Sequence, residues 1–230
     1  MGWTWNQLTG PKGTTGSVAD WMNNSTIQPI TDALIQEATA WIYSRLRHWR
    51  MKTPPISGAL TLNSDNIAVP IDMIEPAVFR VVGNYARNMV QKPEESVLAA
   101  WQYDGSGNRV PQQPRIYYFN QSYLAFDSPS DRAYPYILTY FQIPAALSNS
   151  NPTNFLTNFY PALLRCAIMS SAAEWAKDSG VGNYDRTYWE ERTLNELAAA
   201  QADSDRAARA VVVGATFDGL ETTGPLQEGW

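Results

Sequence analysis

Residues 114–147, PRIYYFNQSYLAFDSPSDRAYPYILTYFQIPAAL, constrain the fold of this chain more than any other stretch. Tyr117, Phe119, Tyr123 and Ala125 lie two or four residues apart, as do Tyr136, Leu138 and Tyr140. That spacing is the period of half-buried strands. Between the two arms sits Ser128-Pro129-Ser130-Asp131, where proline fixes φ and the flanking polar residues can hold the backbone of a turn. The pattern therefore predicts two β-arms around a tight turn. The run leaves through Ile143, Pro144 and Leu147 into SNSNPTNF, a lead rich in helix-capping residues.

Three longer helices follow from apolar residues at helical spacing. The first spans 31–50, with Thr31 as a cap, Asp32 at its positive end and Arg45, Arg47 and Arg50 at its negative end. Its stripe is Leu34, Ala38, Trp41, Ile42 and Trp49, and Pro54-Pro55 stops it. The second spans 161–177, opening on Pro161 with Leu164, Ala167, Ile168, Ala172 and Trp175 inward, and Gly180 or Gly182 ends it. The third spans 184–210, with Tyr188, Trp189, Leu194 and Leu197 inward. Residues 56–145 carry strand and turn signals, with a short helical turn near 94–101 and a loop tip at 103–108. Asp72 reads as the cap of a short helical turn, with Glu75 in its first turn. The predicted core comprises Leu34, Trp41, Ile42, Tyr117, Tyr140, Leu164, Ile168, Trp175 and Leu194.

The two ends lack such periodicity. Residues 1–25 read as an arm whose Trp3, Trp5 and Trp21 order on a neighbour. Residues 211–230 read as an extended tail, because Gly214, Gly219, Gly224 and Pro225 oppose a long helix. Its spaced apolar residues, Val211, Val213, Phe217, Leu220, Leu226 and Trp230, are candidates for docking on a sheet edge or in a partner's groove.

Only 17% of the residues are charged, below the roughly 25% typical of globular domains. Nine tryptophans stand among them, the composition of surfaces that meet partners. The net charge of −5 argues against a general nucleic-acid binder. One cysteine, Cys166, in an apolar helix, reads as a buried hydrophobe, and one histidine, His48, as a cation at a helix end. With one of each, neither a Ser-His-Asp nor a Cys-His catalytic set can be assembled, and a zinc site lacks ligands. Asp72, Glu75, Glu174, Asp178 and Glu190 remain for carboxylate-only hydrolysis, but no spacing selects a pair. No stretch is long and apolar enough to span a membrane, and the N-terminus lacks the pattern of a secretory signal. The expectation is a protein that is not an enzyme, needs no cofactor or metal, and is made and folded in a cytoplasm.

Several segments, taken in order, resemble the head-to-tail adaptor (connector, head-completion) proteins of tailed bacteriophages. They are ITDALIQEATAWIYSRLRHWRM with its Arg45-Leu46-Arg47 ending, IAVPIDMIE, PRIYYFNQSYLAFDSPSD, YPYILTYFQIPAAL and TNFLTNFYPALL. The resemblance covers roughly 26–75 and 114–197. It implies a mainly α fold, a helical bundle of about three main helices with an inserted small antiparallel β-region and extended N- and C-terminal arms. The adaptor domain would then be 26–210, between the arms 1–25 and 211–230. It also implies a ring, usually dodecameric, at the head–tail junction of the virion. The ring would bind below the portal protein, extend the DNA channel without reading DNA sequence, and present a platform for tail or nozzle proteins. In the adaptors it resembles, an extended terminus fastens the ring to the portal. The alternative is a carbohydrate- or receptor-binding tail module, which would gather its exposed aromatics into one cleft. The chain departs from the simplest adaptors in its Trp-rich start, its insert at 84–109 and its long tail.

Overall fold

The computed structural model describes residues 2–83, 86–180 and 184–217. The chain divides into two compact units: Met51–Pro144 forms one, and the chain on either side of it forms the other.

The first unit begins with two one-turn helices, α1 (Trp5–Leu8) and α2 (Val18–Trp21). Thr4 and Gln7 close a reciprocal capping box around α1, and the Ser17 hydroxyl accepts the Asp20 N–H at the start of α2. Trp5, Leu8, Val18, Ala19 and Met22 are buried, and the Trp5 N–H donates to Pro152 O at 2.7 Å. The expected extended N-terminal arm is thus a packed part of its own unit. Helices of four residues are held by caps and burial, and are too short to display a 3.6-residue period. A 3-10 turn, Ser25–Ile30, leads into α3 (Thr31–Arg45), which buries Leu34, Ile35, Ala38, Thr39 and Ile42. That helix stops five residues short of expectation. Leu46 turns to an extended conformation (φ −83°, ψ 129°) and carries its side chain into the core.

The second unit holds two four-stranded sheets. In chain order its strands are β1 (Ile56–Leu60), β2 (Asn66–Ala68), β3 (Met73–Val82), β4 (Ala86–Asn88), β5 (Val90–Gln91), β6 (Ile116–Asn120), β7 (Tyr123–Phe126) and β8 (Tyr134–Gln142). One helix, α4 (Glu94–Ala99), lies among them. One sheet has the order β1-β8-β3-β4, the other β2-β7-β6-β5. The pairs are antiparallel except β5 with β6, which is parallel.

The two arms around residues 128–131 do not pair. The first arm is itself the β6–β7 hairpin, turning at Gln121-Ser122, and the second arm is β8, in the other sheet. The misreading has a physical cause. Tyr117, Leu124 and Phe126 face the core shared with Phe79, Leu138 and Tyr140, while Tyr118 and Ala125 pack on Val97 of α4. A hairpin covered on both faces shows a continuous apolar run, not an alternation. The ring of Phe79 stacks on Phe126 with centroids 5.8 Å apart and meets Tyr117 edge-on at 5.5 Å. Asp72 caps no helix either: it accepts the Tyr140 phenol at 3.0 Å, and Glu75 lies in β3 beside a ladder irregularity that continues through Pro76.

The chain then returns to the first unit through α5 (Phe155–Phe159), α6 (Pro161–Asp178) and α7 (Arg186–Phe217). Asn154 and Thr157 cap α5 reciprocally, and Pro161 opens α6 as expected. Gly180, at φ +66°, supplies the left-handed residue after α6, while Gly182 lies outside the described residues. α6 is the central helix of the unit, buried at Leu163, Leu164, Cys166, Ala167, Ile168, Met169, Ala172, Ala173 and Ala176. α7 packs on it, and among its described side chains the buried seam is made of small residues, Thr193, Ala200 and Ser204, the last bonded to the segment after α3. Leu194, one position off that seam, is 53% exposed, against its expected place in the core. Trp41 and Trp175 are half-buried at the rim, and the other six predicted core residues are buried.

The backbone stays helical to Phe217, so Val211, Val213 and Phe217 belong to α7 and not to an extended arm. Gly214 costs a helix only about 1 kcal/mol. With 42% of residues helical and 21% in strands, the fold is α+β, comprising a two-sheet unit and a helical one. The mainly helical bundle with a small antiparallel insert is corrected accordingly.

Candidate functional site

The segment after α3 exposes its most interactive side chains and is held from beneath by polar contacts. Arg47 exchanges hydrogen bonds with Gln201 of α7: its N–H donates to Oε1 at 3.3 Å and its carbonyl accepts from Nε2 at 3.4 Å. The Trp49 N–H donates to the Ser204 hydroxyl at 3.0 Å. His48 is wholly buried and stacks against Phe155 at 5.8 Å. Its Nδ1 accepts the Arg50 N–H at 3.2 Å, so the proton of the neutral ring sits on Nε2, which lies 2.8 Å from the Tyr160 hydroxyl. That hydroxyl donates to Asp203 Oδ2 at 2.6 Å.

Burial disfavours the imidazolium and lowers the His48 pKa, against the opposing pull of Asp203. Burial, with the bond to Asp203, pushes the Tyr160 phenol up to about 12. The Asp203 carboxyl is lowered, first by the Tyr160 hydrogen bond. His48 is therefore a neutral strut and not the expected dipole-facing cation.

On top of this strut lies an exposed stack. The Arg50 guanidinium sits 4.4 Å from the centroid of Trp49 and 3.9 Å from that of Phe159. Trp49 is 41% exposed and Phe159 52%. Cation–π contact holds the three in register, and the N–H groups of Trp49 and Arg50 are tied to Ser204 and His48. Tryptophan and arginine are the residues that dominate binding at interfaces, and a pre-ordered set loses less entropy on docking. Trp49, expected on the inward stripe of the first helix, is instead exposed beyond the end of α3 at Arg45. Tyr160 and Asp203 are not visible in the sequence, because no local pattern links positions 112 and 155 residues from His48.

The expected docking residues are dispersed. Trp5 is buried in its own unit and unable to anchor a partner, whereas Trp3 and Trp21 are half-buried and pack edge-on at 4.8 Å. Val211, Val213 and Phe217 lie on the last turns of α7, and Leu220, Leu226 and Trp230 lie outside the described residues.

The candidate carboxylates do not converge on one site. Asp72 and Glu75 belong to the β unit. In the helical unit, Glu174 and Glu190 both pair with Arg186, at 2.6 and 2.7 Å, beside a cleft of about 330 Å³ that Trp41, Arg45 and Leu194 also line. Among the described residues no group of three His, Cys, Asp or Glu could hold a metal, and no helix is long and apolar enough to cross a membrane. Burial raises the Cys166 thiol pKa, as suits a packing residue.

A family model described as SU10 adaptor protein matches residues 14–214, a span that includes both units. No curated protein matches the chain.

Proposed function

The chain belongs to the SU10 adaptor protein family, which makes it a structural adaptor of a bacteriophage particle, and from that premise we propose how it acts. It assembles as a ring, dodecameric in the usual adaptor arrangement, at the head–tail junction. The ring binds below the portal protein, continues the DNA channel, and offers its far face to tail or nozzle proteins. DNA passes through without sequence-specific contacts, in keeping with the net charge of −5. Residues from Val211 onward, with Phe217, Leu220, Leu226 and Trp230 as anchors, fasten each subunit to the portal or to a neighbouring adaptor.

The family match over most of the chain carries this reading. The Trp49–Arg50–Phe159 stack supports it, since an adaptor needs rigid, exposed contact points more than it needs a cleft.

The test is electron cryo-microscopy of the full chain mixed with portal rings of the same phage. A ring of this protein stacked coaxially on the portal is the expected outcome. Monomers scattered in solution beside bare portal rings would refute the proposal.

A further inference from the structure

The helical unit has a second aromatic cluster, away from the Arg50 stack, in which two arginines line a recess that no carboxylate lines. Gly16, at φ +92°, makes room for Trp3: a Cβ there would meet Trp3 Cδ1 at 2.8 Å. Trp3 packs on Trp21, and the Arg165 guanidinium of α6 lies 5.1 Å from the Trp21 centroid. With Trp189 and Arg192 of α7, Trp3 and Arg165 line a recess of about 270 Å³, and no carboxylate lines it. Both arginines are exposed, and neither forms an ion pair among the described residues. Arg192 donates to the Tyr188 hydroxyl at 2.7 Å. Glu196, one turn along α7, is the acid whose charge reaches both Arg192 and the neighbouring Cys166. One guanidinium over the Trp21 face and a second over Tyr188, both lining a recess with Trp3 and Trp189, select a segment that carries carboxylates together with a large apolar side chain.

This chain contains such a segment. Residues 217–221 read Phe-Asp-Gly-Leu-Glu, and between Val211 and Trp230 there are three acids and no lysine or arginine. We propose that the recess receives residues 217–221 of a neighbouring copy. The inference rests on the ring assembly proposed above and names one of its contacts.

Reach decides between the chain's own segment and a neighbour's. α7 is continuous to Phe217, 25 residues past Arg192. At about 1.5 Å per residue that is about 37 Å along the helix. Glu221, four residues further, can come back by at most about 14 Å even if fully extended. A subunit cannot fill its own recess with these residues, whereas the next subunit can. Nucleic acid would also stack on tryptophan, but two arginines on a chain of net charge −5 give little phosphate affinity.

The experiment places a photo-crosslinking benzoylphenylalanine at position 189 of the full-length chain. Light and heavy isotope-labelled copies are mixed, assembled on portal rings with and without a DNA oligonucleotide, and irradiated. Crosslinks joining position 189 of one isotope to residues 217–221 of the other are expected. Crosslinks confined to one isotope, crosslinks to another segment or to DNA, or intact rings without this crosslink would each overturn the inference while leaving the ring standing. Absence of rings by mass photometry would instead remove the ring reading itself.

A second set of variants does not rely on the unnatural residue. The double variant Arg165→Glu, Arg192→Glu should weaken assembly on portal rings by about tenfold or more, and adding Asp218→Lys, Glu221→Lys should restore it. No weakening, or no restoration, would overturn the contact.

Discussion

At the scale of single residues, burial separates positions that the sequence makes look alike. Leu164 and Leu194 each sit on an apolar helical stripe, yet Leu164 is wholly buried and Leu194 is 53% exposed. Leu164→Ala is expected to cost about 2–5 kcal/mol, from lost transfer energy and the cavity left behind. Leu194→Ala should stay within about 1 kcal/mol, as surface substitutions do. Chemical denaturation of the two variants checks both, and equal midpoints would contradict the packing described. His48 gives a pH-dependent counterpart. Its folded pKa lies below the ordinary value of 6.5, so the unfolded chain takes up a proton first as pH falls. The stability tied to the neutral ring is complete above about pH 6.5 and is lost as pH falls through the lower, folded pKa. Protonation would put a hydrogen on Nδ1, against the Arg50 N–H. The denaturation midpoint should drop between pH 7 and pH 5, and His48→Gln should flatten that drop. A variant with an unchanged pH profile would exclude the strut.

At the scale of elements, what was legible depended on which neighbour covered each face. α6 could be read almost to the residue, because Pro161 opens it, Gly180 closes it and its apolar face is wide. The short helices α4 and α5 and the turn at 103–108, where Asp104 accepts the Ser106 and Asn108 N–H groups, were also readable from local chemistry. The two-sheet arrangement was not. Which strand pairs with β8 is settled by β1 and β3, residues far away in sequence, and not by the adjacent turn. The inner face of α7 was illegible for a different reason. Its buried seam is Thr193, Ala200 and Ser204, and small or polar side chains give no hydrophobic signal. Of the candidate site, Trp49 read as part of the inward stripe of the first helix and Arg50 as its C-terminal charge; the helix ends at Arg45 and Trp49 is exposed, and the buried support from Tyr160 and Asp203 gave no local signal. The seam makes its own prediction: Ala200→Leu should destabilise the helical unit by roughly 1–3 kcal/mol through overpacking. Thermal or denaturant unfolding of that variant is the measurement, and unchanged stability would mean that Ala200 is not tightly packed.

At the scale of the whole molecule, truncation after Phe217 removes Leu220, Leu226 and Trp230 and leaves the packed helices intact. The shortened chain should remain folded by circular dichroism, yet fail to stay on portal rings through sedimentation. Retention as strong as that of the full chain would assign the attachment to the Arg50 stack. A last consequence follows from how the β unit is threaded into the chain. Lys52 and Phe141 face each other as a bridge, and the Thr53 N–H donates to Tyr140 O at 2.9 Å, so the unit starts and finishes on neighbouring strands. The helical unit is made of two pieces separated by Met51–Pro144, and α3 must find α6 across that gap. If the 94 intervening residues were unstructured, closing the loop would carry an entropy penalty that a gap of a few residues avoids, a difference of about 3 kcal/mol on logarithmic scaling. Once folded, the β unit brings its two ends together and acts as a clasp, so it should order first during synthesis and template the rest. Phe79→Ala, in the core of the β unit, should therefore slow the appearance of helical structure in stopped-flow refolding.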